Sequence, residues 1–163
     1  MPELTAERLR EVLSYDPDSG WFRRRIQSGP RVHVGEIAGG YVHGYWRIRV
    51  DGRRHSAHRL AWLYMTGEFP DQEIDHIDGD GTHNAWANLR EATHIQNQAN
   101  TRRHRNNTSS FKGISRSGPS GWRAIIKPNG HQIYLGSFPT PEAAHAAYMA
   151  AAQKHWGEFA RDN

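Results

Sequence analysis

The sequence has no cysteine and no long apolar run, and each absence excludes a class of protein. Without cysteine, disulfides and thiolate zinc sites are both ruled out. No segment approaches the roughly 18 consecutive apolar residues of a membrane-spanning helix, and the mean hydropathy is −0.85. The opening residues, Met-Pro-Glu-Leu-Thr, lack the basic and apolar regions of a signal peptide. These absences predict a soluble intracellular protein.

Lysine is also scarce, since 18 of the 21 basic residues are arginine. Residues 1–100 carry 12 basic and 14 acidic side chains, whereas residues 101–112 carry four basic and no acidic ones. Arginine suits forked contacts to phosphate and guanine. A basic linker over 101–110 is therefore expected to contact nucleic acid through Arg102, Arg103 and Arg105, with a solvated surface as the alternative.

Local signals predict folded elements along the first hundred residues, and 17 aromatic residues in a chain of 163 argue against disorder. Thr5 is a candidate N-cap for a short helix. Alternation from Tyr45 onward and the turn pair Asp51-Gly52 predict a hairpin. A helix is expected from Ala57 to Met65. His58, within that helix, is interpreted as a structural hydrogen-bonding residue.

The stretch around residue 75 predicts a compact ββα unit. Residues 73–76 form a short strand candidate, and a loop rich in Gly and Asp follows to residue 87. Residues 89–93 are expected to pair back as a second strand, and a polar helix is expected from His94. The acid Asp75 and the imidazole of His76 stand side by side at the end of the first strand. Metal-assisted hydrolysis needs oxygen ligands and a group that takes a proton from water.

This stretch resembles the ββα-metal motif of HNH endonucleases, in particular the homing enzymes of phages and introns. The resemblance covers roughly residues 45–100, and the residues that carry it are Asp75-His76, Asn84, Asn88-Leu89, Asn97 and Asn100. It implies a metal-dependent endonuclease that acts on DNA. A calcium loop and a histidine zinc site are the structural alternatives, but no glutamate stands where a calcium loop needs one, and no zinc spacing is matched.

Each residue of the motif has an expected role. His76 is the candidate general base, a function that typically contributes about 10²- to 10⁴-fold in rate. Asp75 and Asn97 offer oxygen ligands for one divalent cation, Mg²⁺ or Mn²⁺. By position in the motif, Asn88 is expected to bond the loop backbone and keep His76 in line. Arg90 is a candidate phosphate contact.

After the linker, residues 111–163 predict a second domain, while the first is expected to span residues 1–100. Three strands are expected over 111–116, 122–127 and 131–135. A helix is expected from the Thr140 cap to about Trp156. One face of the strands (Trp122, Ala124, Ile126, Ile133 and Leu135) should pack on an alanine stripe of the helix (Ala143, Ala144, Ala147 and Ala151).

This second domain resembles the APETALA2/ethylene-response-factor DNA-binding domain. The resemblance rests on Phe111-Lys112-Gly113-Ile114, Trp122-Arg123-Ala124, Tyr134-Leu135-Gly136-Ser137-Phe138, Glu142-Ala143-Ala144 and Ala147-Tyr148. It implies a three-stranded antiparallel sheet, packed on one helix, that reads the DNA major groove with its free face. The side chains expected to contact DNA are Lys112, Arg116, Arg123, Lys127, Gln132 and Tyr134.

Together these patterns predict an α+β protein with an HNH module, preceded by a small antiparallel β region, and a C-terminal DNA-binding domain. The expected function is that of a homing-type endonuclease that uses one divalent metal ion and cuts double-stranded DNA. A catalytically inactive DNA-binding regulator and a phage packaging or repair nuclease are the alternatives. The expected location is the cytoplasm of a bacterial host, with the gene carried by a phage or mobile element.

Overall fold

The computed structural model describes residues 3–101, 109–119 and 121–162, and its described part is mixed α+β, as the sequence predicts. The chain divides into two compact units, Met1–Ala92 and Thr93–Asn163. None of the helices in the described ranges is long and apolar enough to cross a bilayer. The linker arginines Arg102, Arg103 and Arg105 lie outside the described residues.

The helices and strands alternate along the chain in short segments. The four α-helices of the described residues are α1 (Ala6–Val12), α2 (Ala57–Thr66), α3 (His94–Asn100) and α4 (Pro141–Trp156). The strands of the first unit are β1 (Leu13–Tyr15), β2 (Phe22–Arg24), β3 (Gly40–Val42), β4 (Tyr45–Val50), β5 (Arg53–Ser56), β6 (Glu73–His76) and β7 (Leu89–Ala92). The strands of the second unit are β8 (Ile114–Ser117), β9 (Gly121–Ile126) and β10 (Ile133–Phe138).

The first unit builds three small antiparallel sheets, β1-β2, β3-β4-β5 and β6-β7, around one apolar core. The hairpin between β4 and β5 turns at Asp51 and Gly52, both with positive φ, as the sequence predicts. The largest fully buried side chains of this core are Leu9, Leu13, Phe22, Ile48, Leu60 and Leu63. Ile74 and Leu89 belong to the same core, so they fix β6 and β7 in place.

The second unit holds α3 and a three-stranded antiparallel sheet, in the order β10-β9-β8, that packs on α4. This confirms the expected sheet on one helix. The helix presents Ala144, Tyr148 and Ala152 as its buried residues, one turn apart, so the predicted alanine stripe is only partly correct. Gly113 is required at its position, because a Cβ there would lie 2.0 Å from the Tyr148 ring.

One sequence-based expectation about the second unit needs correction. Ile133 is 40% exposed and lies outside the buried core, although it pairs with the buried Ile126, because it stands at the first position of β10 where the sheet is only partly covered. Leu135 is partly buried against the core instead. Helix α3 lies within Thr93–Asn163 and is therefore described with the second unit.

Candidate active site

Strands β6 and β7 place Asp75 and His76 in the interior of the first unit. The register sets Asp75 opposite Arg90 and His76 opposite Leu89. Both side chains are nearly fully buried, with Asp75 3% and His76 5% exposed. Because ionisable groups are seldom buried without specific partners, the contacts of these two residues define the site.

Arg90 is the ionic partner of Asp75. Its Nε donates to Asp75 Oδ2 at 2.9 Å, across the pair of directly opposed strand residues. A carboxylate has two oxygens and about four acceptor positions, so it can accept hydrogen bonds and bind a cation at the same time. The guanidinium therefore compensates the buried carboxylate and fixes its orientation.

Asn84 holds the ring of His76. The Nε2 of His76 lies 3.1 Å from Asn84 Oδ1. The Asn84 amide nitrogen donates to the Thr82 carbonyl at 2.9 Å, so its oxygen is the atom that faces the imidazole. An oxygen acceptor requires a proton on Nε2, and the neutral ring then has its lone pair on Nδ1. The geometry thus makes Nδ1 the basic nitrogen of His76.

The backbone around Asn84 is fixed by the turn that follows β1. The Tyr15 hydroxyl donates to the Asn84 carbonyl at 2.7 Å, and Trp86 N donates to the Pro17 carbonyl at 2.8 Å. Gly20 lies directly against this loop, and a Cβ at Gly20 would be 2.3 Å from the backbone of Asn84. A turn near residue 20 therefore positions the side chain that orients His76.

His58 and Tyr45 surround the other side of His76. The rings of His58 and His76 are perpendicular with centroids 5.0 Å apart, and the Tyr45 ring lies 5.6 Å from that of His58. Burial lowers the pKa of His58 to about 3, with the charges of His76, Arg47 and Arg59 adding to the effect. Burial also lowers the pKa of His76, while Asn84 and nearby aspartates oppose that shift. Both imidazoles are consequently neutral at physiological pH.

Asn88 organises the loop between the two strands. Its Oδ1 accepts from Asp78 N at 3.1 Å, and its Nδ2 donates to Asp78 Oδ1 at 3.0 Å and to the His83 carbonyl at 2.8 Å. His83 Nδ1 lies 2.6 Å from Asp78 Oδ2. Asp80 bonds Thr82 within the same loop. The hydrogen bonds of Asp78, Asp80 and Asn88 therefore fix the conformation of the loop.

Both site strands lie in a part of the chain that matches a known protein family. A family model described as HNH endonuclease matches residues 55–99, which include both site strands. Protein 3.8 of Escherichia phage T7 is 34% identical over 106 residues, covering 64% of this chain and 87% of that protein. This chain belongs to the HNH endonuclease family. A second relative, an uncharacterized HNH endonuclease of Acanthamoeba polyphaga mimivirus, is 33% identical over 118 residues.

The match to the mimivirus HNH endonuclease covers 71% of this chain and 61% of that protein. The chain thus spans less than two thirds of the length of that relative. No solved structure matches the chain at a significant level. The fold of this HNH protein therefore rests on the contacts described above.

The donor chemistry of the site fits a divalent cation of the kind that HNH endonucleases generally use. Within the described ranges, no three His, Asp or Glu side chains converge as a metal cluster. Magnesium usually takes only one or two carboxylates from a protein and keeps several waters. Asp75 supplies one such buried carboxylate. Asn97, the other expected ligand, lies half-buried on α3 in the second unit.

The residues of the second unit that were expected to contact DNA occupy three kinds of position. Arg123 and Tyr134 are exposed on the face of the sheet that is turned away from α4. Lys127 and Gln132 are exposed beyond the ends of β9 and β10. Arg116 lies opposite Trp122, with its guanidinium 4.9 Å from the centre of that ring.

The cationic groups of Arg116 and Lys112 contact other parts of the second unit and not its free sheet face. Arg116 shares its face with Trp122, which packs against the buried core, so it does not belong to the free face. Lys112 Nζ donates to the carbonyls of Ala99 and Thr101 at the end of α3. Alternation along the strands indicates the free face correctly, but Lys112 precedes the first strand, where alternation carries no information.

Asn84 was not among the site residues predicted from the sequence, and its contact with His76 gives a direct test. Asn84→Ala should leave the buried Nε2–H without an acceptor, which costs about 1–3 kcal/mol, and should slow cleavage because the ring loses its orientation. Asn84→Asp keeps an acceptor but adds a negative charge that raises the pKa of His76. The rate of plasmid cleavage against pH should therefore fall at every pH for Asn84→Ala and shift to higher pH for Asn84→Asp. Wild-type profiles for both variants would contradict the assignment.

Proposed function

We propose that this chain is a homing-type endonuclease that hydrolyses DNA phosphodiester bonds with His76 as general base and one divalent cation, Mg²⁺ or Mn²⁺, as cofactor. The main support is the environment of His76. Asn84 holds Nε2–H at 3.1 Å, burial keeps the ring neutral, and the adjacent residue is a buried carboxylate. A neutral, oriented imidazole beside an oxygen ligand is what metal-assisted hydrolysis requires.

In the proposed reaction, Nδ1 of His76 takes a proton from the water that attacks phosphorus, and the bond from phosphorus to the 3′ oxygen breaks, with that oxygen as the leaving group. Asn84 keeps the ring from rotating. Asp75 and Asn97 are the side chains assigned to the cation, and Arg90 keeps the Asp75 carboxylate in place. When bound, the cation supplies positive charge for the oxygens on which negative charge builds. Asn88 and Asp78 maintain the loop that carries Asn84. Each role belongs to a different side chain, so each is separately testable.

We further propose that the second unit targets the nuclease to DNA in the manner of an APETALA2/ethylene-response-factor domain. The proposed DNA-binding face consists of Arg123, Lys127, Gln132 and Tyr134. Arg123 Nε donates to Ser115 Oγ at 2.9 Å, and the Tyr134 hydroxyl lies 2.7 Å from Ser137 Oγ. Tyr134 is 58% exposed. These bonds lay two long polar side chains along the sheet surface, which supports readout in a groove wide enough for a β-sheet.

The remaining predicted DNA contacts are divided by their placement. Arg102, Arg103 and Arg105 are proposed to contact phosphates, since four basic and no acidic residues occupy 101–112. Arg90, Lys112 and Arg116 are left out of the proposed interface because their cationic groups contact Asp75, the end of α3 and Trp122. Phosphate contacts fix position, whereas the free face of the sheet carries sequence preference.

Supercoiled plasmid tests the activity. The full-length protein should convert it to nicked or linear product with Mg²⁺ or Mn²⁺ and leave it intact with EDTA, because hydrolysis needs the cation. Nicked product indicates cleavage of one strand and linear product cleavage of both. Tight binding of duplex DNA without cleavage in either cation would instead favour the inactive DNA-binding regulator.

A library of mixed-sequence duplexes separates the remaining alternatives. A single strongly preferred cleavage site is expected for a homing-type enzyme whose tail reads sequence. Cleavage spread over many unrelated sites would overturn the homing assignment and favour a packaging or repair nuclease.

A variant with Arg123→Ala should lower site preference in the same library, because each good base contact discriminates by roughly 1–3 kcal/mol.

A further inference from the structure

Helix α3 is too short to be stable by itself. It has seven residues, and isolated helices below about 12–15 residues are marginal in water. Its first turn is closed by a capping box between Thr93 and Gln96. Its last turn has no glycine cap, because Thr101 follows with φ −59° and ψ 136°. Thr101 donates to the carbonyls of Asn97 and Gln98, so the carbonyl of Ala99 needs a partner from elsewhere.

The Nζ amine of Lys112 is a hydrogen-bond donor to carbonyls at the end of α3. It donates to the Ala99 carbonyl and, at 2.9 Å, to the Thr101 carbonyl. A lysine ammonium at this position also complements the negative end of the helix dipole. Among the described residues, no carboxylate pairs with Lys112. The amino group is thus committed to the end of α3.

Lys112 is itself fixed to the body of the second unit. The next residue, Gly113, lies so close to the buried Tyr148 of α4 that any side chain would overlap the ring. The Gly113 carbonyl accepts from Ile125 N of β9 at 2.9 Å. Burial lowers the pKa of Lys112 to about 8, and the charge of Arg161 adds to this shift. The carbonyls that Lys112 contacts are uncharged, so its amine binds them as an N–H donor and not as one half of an ion pair.

We propose that Lys112 is a positioning residue for the nuclease reaction, because it holds the C-terminal end of α3, the helix that carries Asn97. This inference rests on the proposed function, in which Asn97 is a metal ligand. Asn97 lies one turn before Thr101, whose hydroxyl donates to the Asn97 carbonyl at 3.3 Å. The contact from Lys112 therefore acts on the turn of α3 that carries the ligand.

The three lysines of the chain supply a matched test. Lys112→Met removes the donors and keeps most of the side-chain length, whereas Lys154→Met changes an exposed lysine in the last turn of α4. Full-length proteins are compared by amide hydrogen exchange and by the Mg²⁺ concentration that gives half-maximal plasmid cleavage. Loss of a residue that orients a metal ligand typically costs about 10- to 100-fold in metal affinity or activity.

Lys112→Met should speed amide exchange in α3 selectively, leave the β8–β10 amides protected, and raise the half-maximal Mg²⁺ concentration by about 10-fold or more. Its cleavage rate at saturating Mg²⁺ should recover towards wild type, and Lys154→Met should match wild type throughout. Unchanged α3 exchange or an unchanged Mg²⁺ midpoint would overturn the inference. If Lys112→Met also speeds amide exchange in the sheet, the Lys112→Gln variant, which retains two N–H donors, is measured in its place. Slow amide exchange in α3 of Lys112→Gln supports the inference, and fast exchange there overturns it.

Failure of the proposed function gives a different result. In that case the wild-type protein would not cut with any cation, or would cut equally well without His76. Failure of the inference alone would leave cleavage dependent on His76 and Mg²⁺ but insensitive to Lys112→Met. The exchange measurement needs no cleavage, so it tests the contact in either case.

Discussion

Replacing His76 by alanine should lower the rate of Mg²⁺-dependent plasmid cleavage by about 10²- to 10⁴-fold, the range that general-base catalysis contributes. The cause is the loss of Nδ1, the nitrogen that the Asn84 contact leaves as the proton acceptor. The loss should appear at saturating DNA and Mg²⁺, because alanine at this position removes neither Asp75 nor the proposed DNA-binding face. Single-turnover cleavage rates measure it directly.

The pH dependence of the wild-type rate carries the same signature. A general base must be neutral, so cleavage should decline as the pH falls through the pKa of His76 in the folded protein. Burial lowers that pKa below its usual 6.5, so the decline should be centred below pH 6.5. The matched control is His33→Ala, which replaces an exposed histidine outside the site. A His76→Ala protein that cut as fast as His33→Ala would exclude His76 as the base.

Acid should also destabilise the fold through the buried histidines. The pKa of His58 falls from 6.5 in the unfolded chain to about 3 in the folded protein, so the unfolded state binds more protons between these values. Stability is therefore lost as the pH falls from 6.5 towards 3. Cleavage rates measured near pH 5 should therefore be corrected for the fraction of protein that is folded at that pH.

The sequence predicts the elements whose signals are local. The hairpin at Asp51-Gly52 and the helix from Pro141 to Trp156 occur where predicted, because a turn pair and a capping threonine act within a few residues. Ile133 was wrongly assigned to the core, although its pairing with the buried Ile126 puts it on the expected face. Alternation predicts the face of a strand residue, but how far the end of a strand is covered depends on tertiary packing.

The site shows the same division between local and tertiary information. The pair Asp75-His76 is visible in the sequence as an acid beside an imidazole, but successive strand residues point to opposite faces, so adjacency alone does not predict what each side chain contacts. Which asparagine meets the imidazole depends on how the loop closes: Asn84 contacts His76, whereas Asn88 bonds Asp78 and the His83 carbonyl. The ionic contact of Arg90 with Asp75 depends likewise on strand register.

Variants of the Asp75–Arg90 pair should separate the metal-binding role of the Asp75 carboxylate from its structural role. Asp75→Asn removes the charge but not the shape, so it should abolish Mg²⁺-dependent cleavage and leave Arg90 buried without its carboxylate. Breaking a buried pair by removing one partner costs about 3–5 kcal/mol of unfolding free energy. The side chains are only 4% (Asp75) and 14% (Arg90) exposed, so solvent offers little compensation. Urea unfolding in EDTA measures this cost without any metal.

Arg90→Leu distinguishes a carboxylate that binds a cation from one that merely stabilises the fold. It removes the guanidinium and leaves the Asp75 carboxylate buried, so a bound cation becomes the replacement for the lost positive charge. Added Mg²⁺ should therefore raise the melting temperature of Arg90→Leu by more than it raises that of wild type, since a ligand stabilises the state that it binds. Arg31→Leu, at an exposed loop arginine, should respond to Mg²⁺ as wild type does. An equal Mg²⁺ response in Arg90→Leu and in the double variant with Asp75→Asn would mean that Asp75 does not bind the cation.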